Sequence, residues 1–194
     1  MVKIDQIKQL REETCISLAE CKKALNETGG DIEKAKDILK KWGKDLAGKK
    51  SSRETGEGVI ESYVHPNKKV GVLLDIRCET DFVSKGEDFQ NLAHELCLQI
   101  AAAKPLFIKD EDIPEDILAR ERKIYEDQTK ELKKPEEIVK GIVEGKMKKY
   151  RQSICLLDQT WIKDESKTVK DLMEEYIAKI GENIVVKTFT RYEL

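Results

Sequence analysis

Thr80-Asp81-Phe82-Val83 places a carboxylate and an aromatic ring where an apolar strand gives out, inside the stretch CETDFVSKGEDF. Periodicity leaves two readings of Phe82 open. It turns inward and caps the core, or it stands as a rigid aromatic offered to a partner, the kind of side chain that dominates interface energies. Other residue types capable of chemistry do not converge. GEG at Gly56–Gly58 lacks the Lys-Ser/Thr of a phosphate-binding loop, and GKKSS lacks its upstream glycine. His65 precedes a proline at a turn, and His94 lies on another element, off that element's apolar stripe. The carboxylates of DEDIPED lack the spacing and the glycine of a calcium loop. Cys15, Cys21, Cys78, Cys97 and Cys155 are odd in number, contain no CxxC and have no histidine beside them, which argues against a disulfide framework or a zinc site. With no nucleophile, base and orienting group in view, the residues point to a binding or regulatory factor, not an enzyme, and call for no cofactor or metal.

The elements that must position Thr80–Val83 follow from the hydrophobic pattern. Ile4, Ile7 and Leu10 recur at helical spacing. Ser17 with Glu20 forms a capping-box pattern before a second helix, which Gly29 stops. Asp31 caps a third, whose face carries Ile32, Ala35, Leu39, Trp42 and Leu46 and which Gly48 is expected to end. Residues 1–47 thus read as a small three-helix domain, and 48–57 as a flexible linker without apolar residues. Lys40, Lys41, Lys44, Lys49, Lys50 and Arg53 make a basic run broken only by Asp45. It reads as a solvated helix end, with a patch for an acidic or phosphate-bearing partner as the second reading.

Residues 58–194 read as an α+β core. Val59–His65 and Val70–Glu79 form a hairpin around PNKK, and the near-continuous apolar run of the second strand makes it central. A helix over Glu87–Ala103 carries Phe89, Leu92, Ala93, Leu96, Ile100 and Ala101 inward. Two long helical patterns over about 114–157, each opened by proline, share seams: Leu118, Tyr125 and Leu132 on one, Val139, Val143, Met147, Tyr150, Ile154 and Leu157 on the other. They predict a protruding antiparallel helical hairpin. A helix and a last strand complete a short antiparallel sheet of about three strands. Hydrophobic residues make up 39% and charged residues 38%, with a net charge of -2, so no global field favours nucleic acid or an anionic membrane. No apolar run reaches membrane-spanning length and the N-terminus has no signal-peptide core, so a cytoplasmic protein is expected.

Four motifs in order resemble the bacterial elongation factor Ts family: LREET…CKKALNETGGDIEKA, CETDFVSKGEDF, KPEEIVKGIVEGKMKKY and CLLDQTWIKDESKTVKDL. The resemblance spans nearly the whole chain and matches the short class, with one core half. It implies an N-terminal ubiquitin-associated-like domain and guanine-nucleotide exchange on elongation factor Tu, in its GDP-bound and nucleotide-free forms. It implies that Asp81 and Phe82 enter the GTPase near its Mg²⁺ site, that Thr80 and Val83 set the loop presenting them, and that Arg11 and Leu18 contact a helix of the GTPase domain. Gly86 stands where the family often has Asn, as a left-handed turn would allow. The single core half implies a homodimer. A protein-binding module or ribosome-associated factor without exchange activity is the alternative. RNA binding through Lys40–Arg53 and Lys146–Arg151 is disfavoured by the near-neutral total charge.

Overall fold

The structure, a computed structural model, describes residues 2–14, 16–130 and 135–194. Cys15 and the seam position Leu132 lie outside them.

Helices α1 (Ile4–Thr14), α2 (Leu18–Glu27) and α3 (Ile32–Lys50) enclose a small core of Leu10, Cys21, Ala24, Leu25, Ala35 and Leu39. Their ends are set by side chains. Ser17 Oγ accepts from the Glu20 N–H at 3.3 Å, while the Glu20 carboxylate takes the Ser17 hydroxyl at 2.8 Å instead of closing the expected box on a backbone N–H. Asp31 caps α3 through the Lys34 N–H at 3.1 Å. Gly29 does take the left-handed conformation, at φ 65°.

Gly48 does not end α3, which continues to Lys50. The reason is packing. Ala47 joins the main core, and Gly43 lets α3 cross the last long helix closely, since a Cβ built there lies 3.4 Å from Ala178 Cβ. The segment expected to be a free linker is therefore helical for its first three residues.

Strands β1 (Glu57–Val64), β2 (Val70–Cys78) and β5 (Val185–Glu193) form an antiparallel sheet in the order β1-β2-β5. Ile60 pairs with Asp75 and Leu74 with Phe189, and a bulge interrupts β2 against β5 at Asp75/Ile76. Helix α5 (Glu87–Ala103) and helix α8 (Val169–Ile180) cover one face, burying Val72, Leu74, Ile76, Phe89, Leu92, Leu96, Ile100 and Leu172. The apolar run of β2 predicts a central strand, and it lies between β1 and β5. The second face of the sheet is open: Ile60, Val64, Leu73 and Tyr192 are 64, 65, 50 and 72% exposed.

After α5, Lys104 turns left-handed and a short 3₁₀ turn leads to α6 (Glu115–Lys130) and α7 (Glu136–Ile154). These pack together as the expected hairpin, with Val143, Met147 and Ile154 buried and Arg122 paired to Glu144. Pro135 stands at the N-cap of α7. A two-stranded ribbon of β3 (Thr160–Trp161) and β4 (Asp164–Thr168) follows, which the sequence reading omits. Its strands are too short and polar to show alternation. Buried Gln99 holds it, donating to Gln159 Oε1 at 3.1 Å and the Thr160 carbonyl at 3.2 Å, and accepting from the Ile162 N–H at 2.9 Å. Among the described residues no helix is long and apolar enough to cross a membrane.

Candidate functional site: the turn after the central strand

The central strand delivers the chain to Cys78, buried beneath the turn, whose thiol donates to the Thr80 carbonyl at 3.2 Å. Burial, then the nearby Glu182 charge, pushes that thiol up to about 11, so it is protonated at neutral pH. Thr80 stays extended (φ -127°, ψ 153°) and its hydroxyl accepts the Val83 N–H at 3.4 Å. It thereby caps a one-turn helix, α4 (Asp81–Ser84). The segment is thus a helical turn and not a loop.

Within that turn the side chains divide. Val83 packs against the main core and Ser84 is buried, its hydroxyl donating to the Asp81 carbonyl at 2.8 Å. Gln90 donates to the Ser84 carbonyl at 2.6 Å, and the Gly86 N–H to the Val83 carbonyl at 2.9 Å. Asp81 points to solvent and meets the Lys85 ammonium at 2.8 Å, which holds its carboxyl below the usual range. Phe82 is 84% exposed. The inward reading of this ring does not hold. Its neighbour Val83 takes the core position, and a one-turn helix places consecutive side chains about 100° apart. Gly86 is not left-handed, at φ -72°; a side chain there would put its Cβ 3.1 Å from the Val83 carbonyl. Glycine serves close approach at this position.

Arg11 and Leu18 are both exposed, Leu18 by 47%. They sit on α1 and α2, which pack with α3 around the N-terminal core, so the structure does not bring them to the Thr80–Val83 turn. The basic run is not simply solvated. Lys44 meets Asp171 at 2.7 Å, the Lys50 ammonium bonds the Gly181 carbonyl, and Arg53 meets Glu79 at 3.4 Å; Lys40, Lys41 and Lys49 remain exposed. The two histidines do come together around one ring: Tyr63 bonds His65 Nδ1 at 2.9 Å and meets His94 edge-on at 6.0 Å between centroids. Among the described residues no group of three or more His, Cys, Asp or Glu is placed to hold a metal ion.

Sequence reasoning missed Glu182. Its carboxylate reaches the turn from more than a hundred residues away, accepting from the Thr80 hydroxyl at 2.7 Å. Only the glycine before it, a plausible helix stop, marked its surroundings.

The arrangement is one of presentation: a covered sheet face, a helical hairpin and an exposed aromatic on a fixed turn. The family profile described as Elongation factor TS matches residues 4–194. The chain is 52% identical over 193 residues to Elongation factor Ts of Thermotoga petrophila, covering 100% of this chain and 96% of that one. It is 50% identical over 191 residues to Elongation factor Ts of Rubrobacter xylanophilus, with 98% of each chain covered. Agreement of this extent places the protein among the translation elongation factors. Within that class, the chain belongs to the elongation factor Ts family.

Proposed function

We propose that the protein is a guanine-nucleotide exchange factor that promotes GDP release from elongation factor Tu by inserting Asp81 and Phe82 near its Mg²⁺ site. The observation that carries this reading is Phe82, 84% exposed on a turn that Thr80 caps and that Val83 and Ser84 anchor to the core. Its own chain covers little of the ring, and aromatic side chains of this kind dominate interface energies when a partner takes them up. The protein needs no reaction or cofactor of its own. It has to bind nucleotide-free elongation factor Tu better than the GDP form; linkage then makes it weaken GDP binding by the same factor. A rigid ring serves that end, because packed switch elements shift between discrete arrangements.

The three N-terminal helices act in this reading as a ubiquitin-associated-like docking module, with Arg11 and Leu18 facing the GTPase domain. The open sheet face with Ile60, Val64, Leu73 and Tyr192 supports pairing of two copies, since soluble chains seldom leave such a cluster uncovered. The site of action is the cytoplasm, where translation takes place, with no direct contact to nucleic acid or membrane.

Release of fluorescent GDP from elongation factor Tu, with catalytic amounts of the protein, tests the proposal. The wild type accelerates release. Phe82→Ala loses about 2 kcal/mol of coupling, roughly 30-fold in rate, with its unfolding midpoint unchanged because the ring packs on so little. Full acceleration by the variant moves the wedge elsewhere. No acceleration by folded wild type sinks exchange and leaves a binding module.

A further inference from the structure

Helix α8 ends at Gly181, left-handed at φ 87°, and the chain passes through Glu182 and Asn183 into β5. Glu182 Oε2 accepts from the backbone N–H of Glu79 at 3.1 Å and of Thr80 at 3.0 Å, and Oε1 from the Thr80 hydroxyl at 2.7 Å. The hydroxyl proton is thereby committed to Glu182, and its oxygen lone pair is turned to the Val83 N–H. Contacts run back the other way. The Glu79 carboxylate accepts from the Asn183 N–H at 2.7 Å, and the buried Asn183 amide donates to the Arg53 carbonyl at 3.0 Å. Arg53 closes the bracket on Glu79, and Lys50 at the end of α3 bonds the Gly181 carbonyl.

We infer that Glu182 is the positioning residue of the Phe82 turn, and that the Gly181–Asn183 segment ties this turn to the end of α3. The inference rests on the exchange reading given above. Four residues of helix have no stability of their own, because nucleation costs more than one turn returns. Phe82 adds almost no packing, and Gly86 offers no side chain to cap the next helix. Val83, Ser84 and Gln90 hold the far end of the turn, so at its start the direction of the ring depends on the Thr80 cap, and the cap on Glu182. The chemistry selects a carboxylate. Two backbone N–H groups and the Thr80 hydroxyl converge on it; a Gln could keep contact only if that hydroxyl turned round to accept, and it would make all three bonds without the charge that strengthens them. A negative charge at the start of α4 also complements its free N–H groups.

Glu182→Ala and Glu182→Gln in the full chain test this with two readouts. The first is amide hydrogen exchange at Thr80 and Val83, followed by NMR in the free protein. The second is GDP release from elongation factor Tu over a range of factor concentrations. Loss of charge-assisted bonds at the cap predicts amide exchange faster by about tenfold or more, and a maximal release rate lower by about tenfold. The half-saturating concentration stays near wild type, because the docking surfaces elsewhere are intact. In a Phe82→Ala background, Glu182→Ala costs less than it does in the wild type, leaving only the share carried by Asp81 on the same turn. Wild-type protection of both amides overturns the inference whatever exchange does. A loosened turn with an undiminished maximal rate, or a loss that adds in full to that of Phe82→Ala, overturns it as well. A silent Phe82→Ala sinks the exchange reading by itself, and the amide readout still decides whether Glu182 holds the turn.

Discussion

Asp171 ties the N-terminal helices to the core, and its replacement by Asn has a predicted pH signature. Its Oδ2 accepts from the Thr168 N–H at 3.0 Å and the Thr168 hydroxyl at 2.9 Å, closing the capping box of α8. Its Oδ1 meets Lys44 of α3 at 2.7 Å, with the carboxylate side chain 18% exposed. Burial alone would raise its pKa, but the Lys44 ammonium and the Thr168 donors outweigh burial and bring it from 3.8 to about 2. At 1.36 kcal/mol per unit, that shift stabilises the fold by roughly 2 kcal/mol. The folded value is depressed, so the contribution is complete above about pH 4, the unfolded value, and fades as pH falls toward about 2. Asp171→Asn should thus cost about 2 kcal/mol at neutral pH, with the gap closing over that acid window. Glu174, beside Lys44, has its pKa raised first by burial, so its stabilising effect is present at low pH and lost as pH rises through its folded value. Replacing Asp171 removes one cause of that rise and frees Lys44 for Glu174, so the Glu174 contributions to the two proteins do not cancel, and the comparison is repeated in a Glu174→Gln background to isolate Asp171. Urea unfolding of both proteins by circular dichroism, from about pH 7 to about pH 2, reads the difference directly. A gap that stays constant, or widens in acid, would refute the reasoning.

Gly141 and Gly145 lie exposed within α7, and a Cβ at either meets nothing within 4 Å, so Gly141→Ala and Gly145→Ala should each raise Tm by about 2–4 °C in a thermal melt. Gly58 is the opposite case: at φ 156°, its Cβ would lie 2.2 Å from the Ile76 carbonyl of the paired strand. Gly58→Ala should cost more than about 2 kcal/mol in urea unfolding. Burial pushes the thiol of Cys78 up to about 11 and those of Cys97 and Cys155 to about 12, and raises that of Cys21. Site-resolved mass spectrometry should find these four resistant to alkylation at neutral pH until denaturant is added.

The long elements were legible because their patterns repeat. The stripe from Phe89 to Ile100 spans several turns, and Ala24, Leu25, Ala35 and Leu39 fall on helices marked by Ser17 and Asp31. Thr80–Val83 could be singled out because a ring followed a strand with no partner in view. Which way the ring faced was not legible, since inward and outward differ by one position in a single turn and Val83 won the inward one. The Glu182 contact was out of reach for a different reason: hydrogen bonds across the fold leave no periodicity. The ribbon of β3 and β4 depends on Gln99, a polar residue inside an apolar stripe, and its backbone partners depend on where distant chain segments meet. The end of α3 failed on propensity. Gly48 is a fair stop signal, but Ala47 and Lys50 have tertiary partners that extend the helix past it.

That extension changes how the N-terminal helices are carried. As a flexible coil, residues 48–57 would have an end-to-end distance of about 17 Å and no memory of direction. Here α3 runs unbroken from Ile32 to Lys50, with Gly43 against Ala178 and Arg53 held just beyond its end. Orientation is then counted in residues, each advancing the helix by about 1.5 Å and turning it by about 100°. If, as proposed, the N-terminal helices and the Phe82 turn both contact elongation factor Tu, two surfaces joined this way would meet it as one stiff bidentate ligand, the first contact delivering the second in the correct angular phase without a search through linker conformations. An exchange factor of the kind proposed would gain speed from such a strut, and give up tolerance to any change in its length.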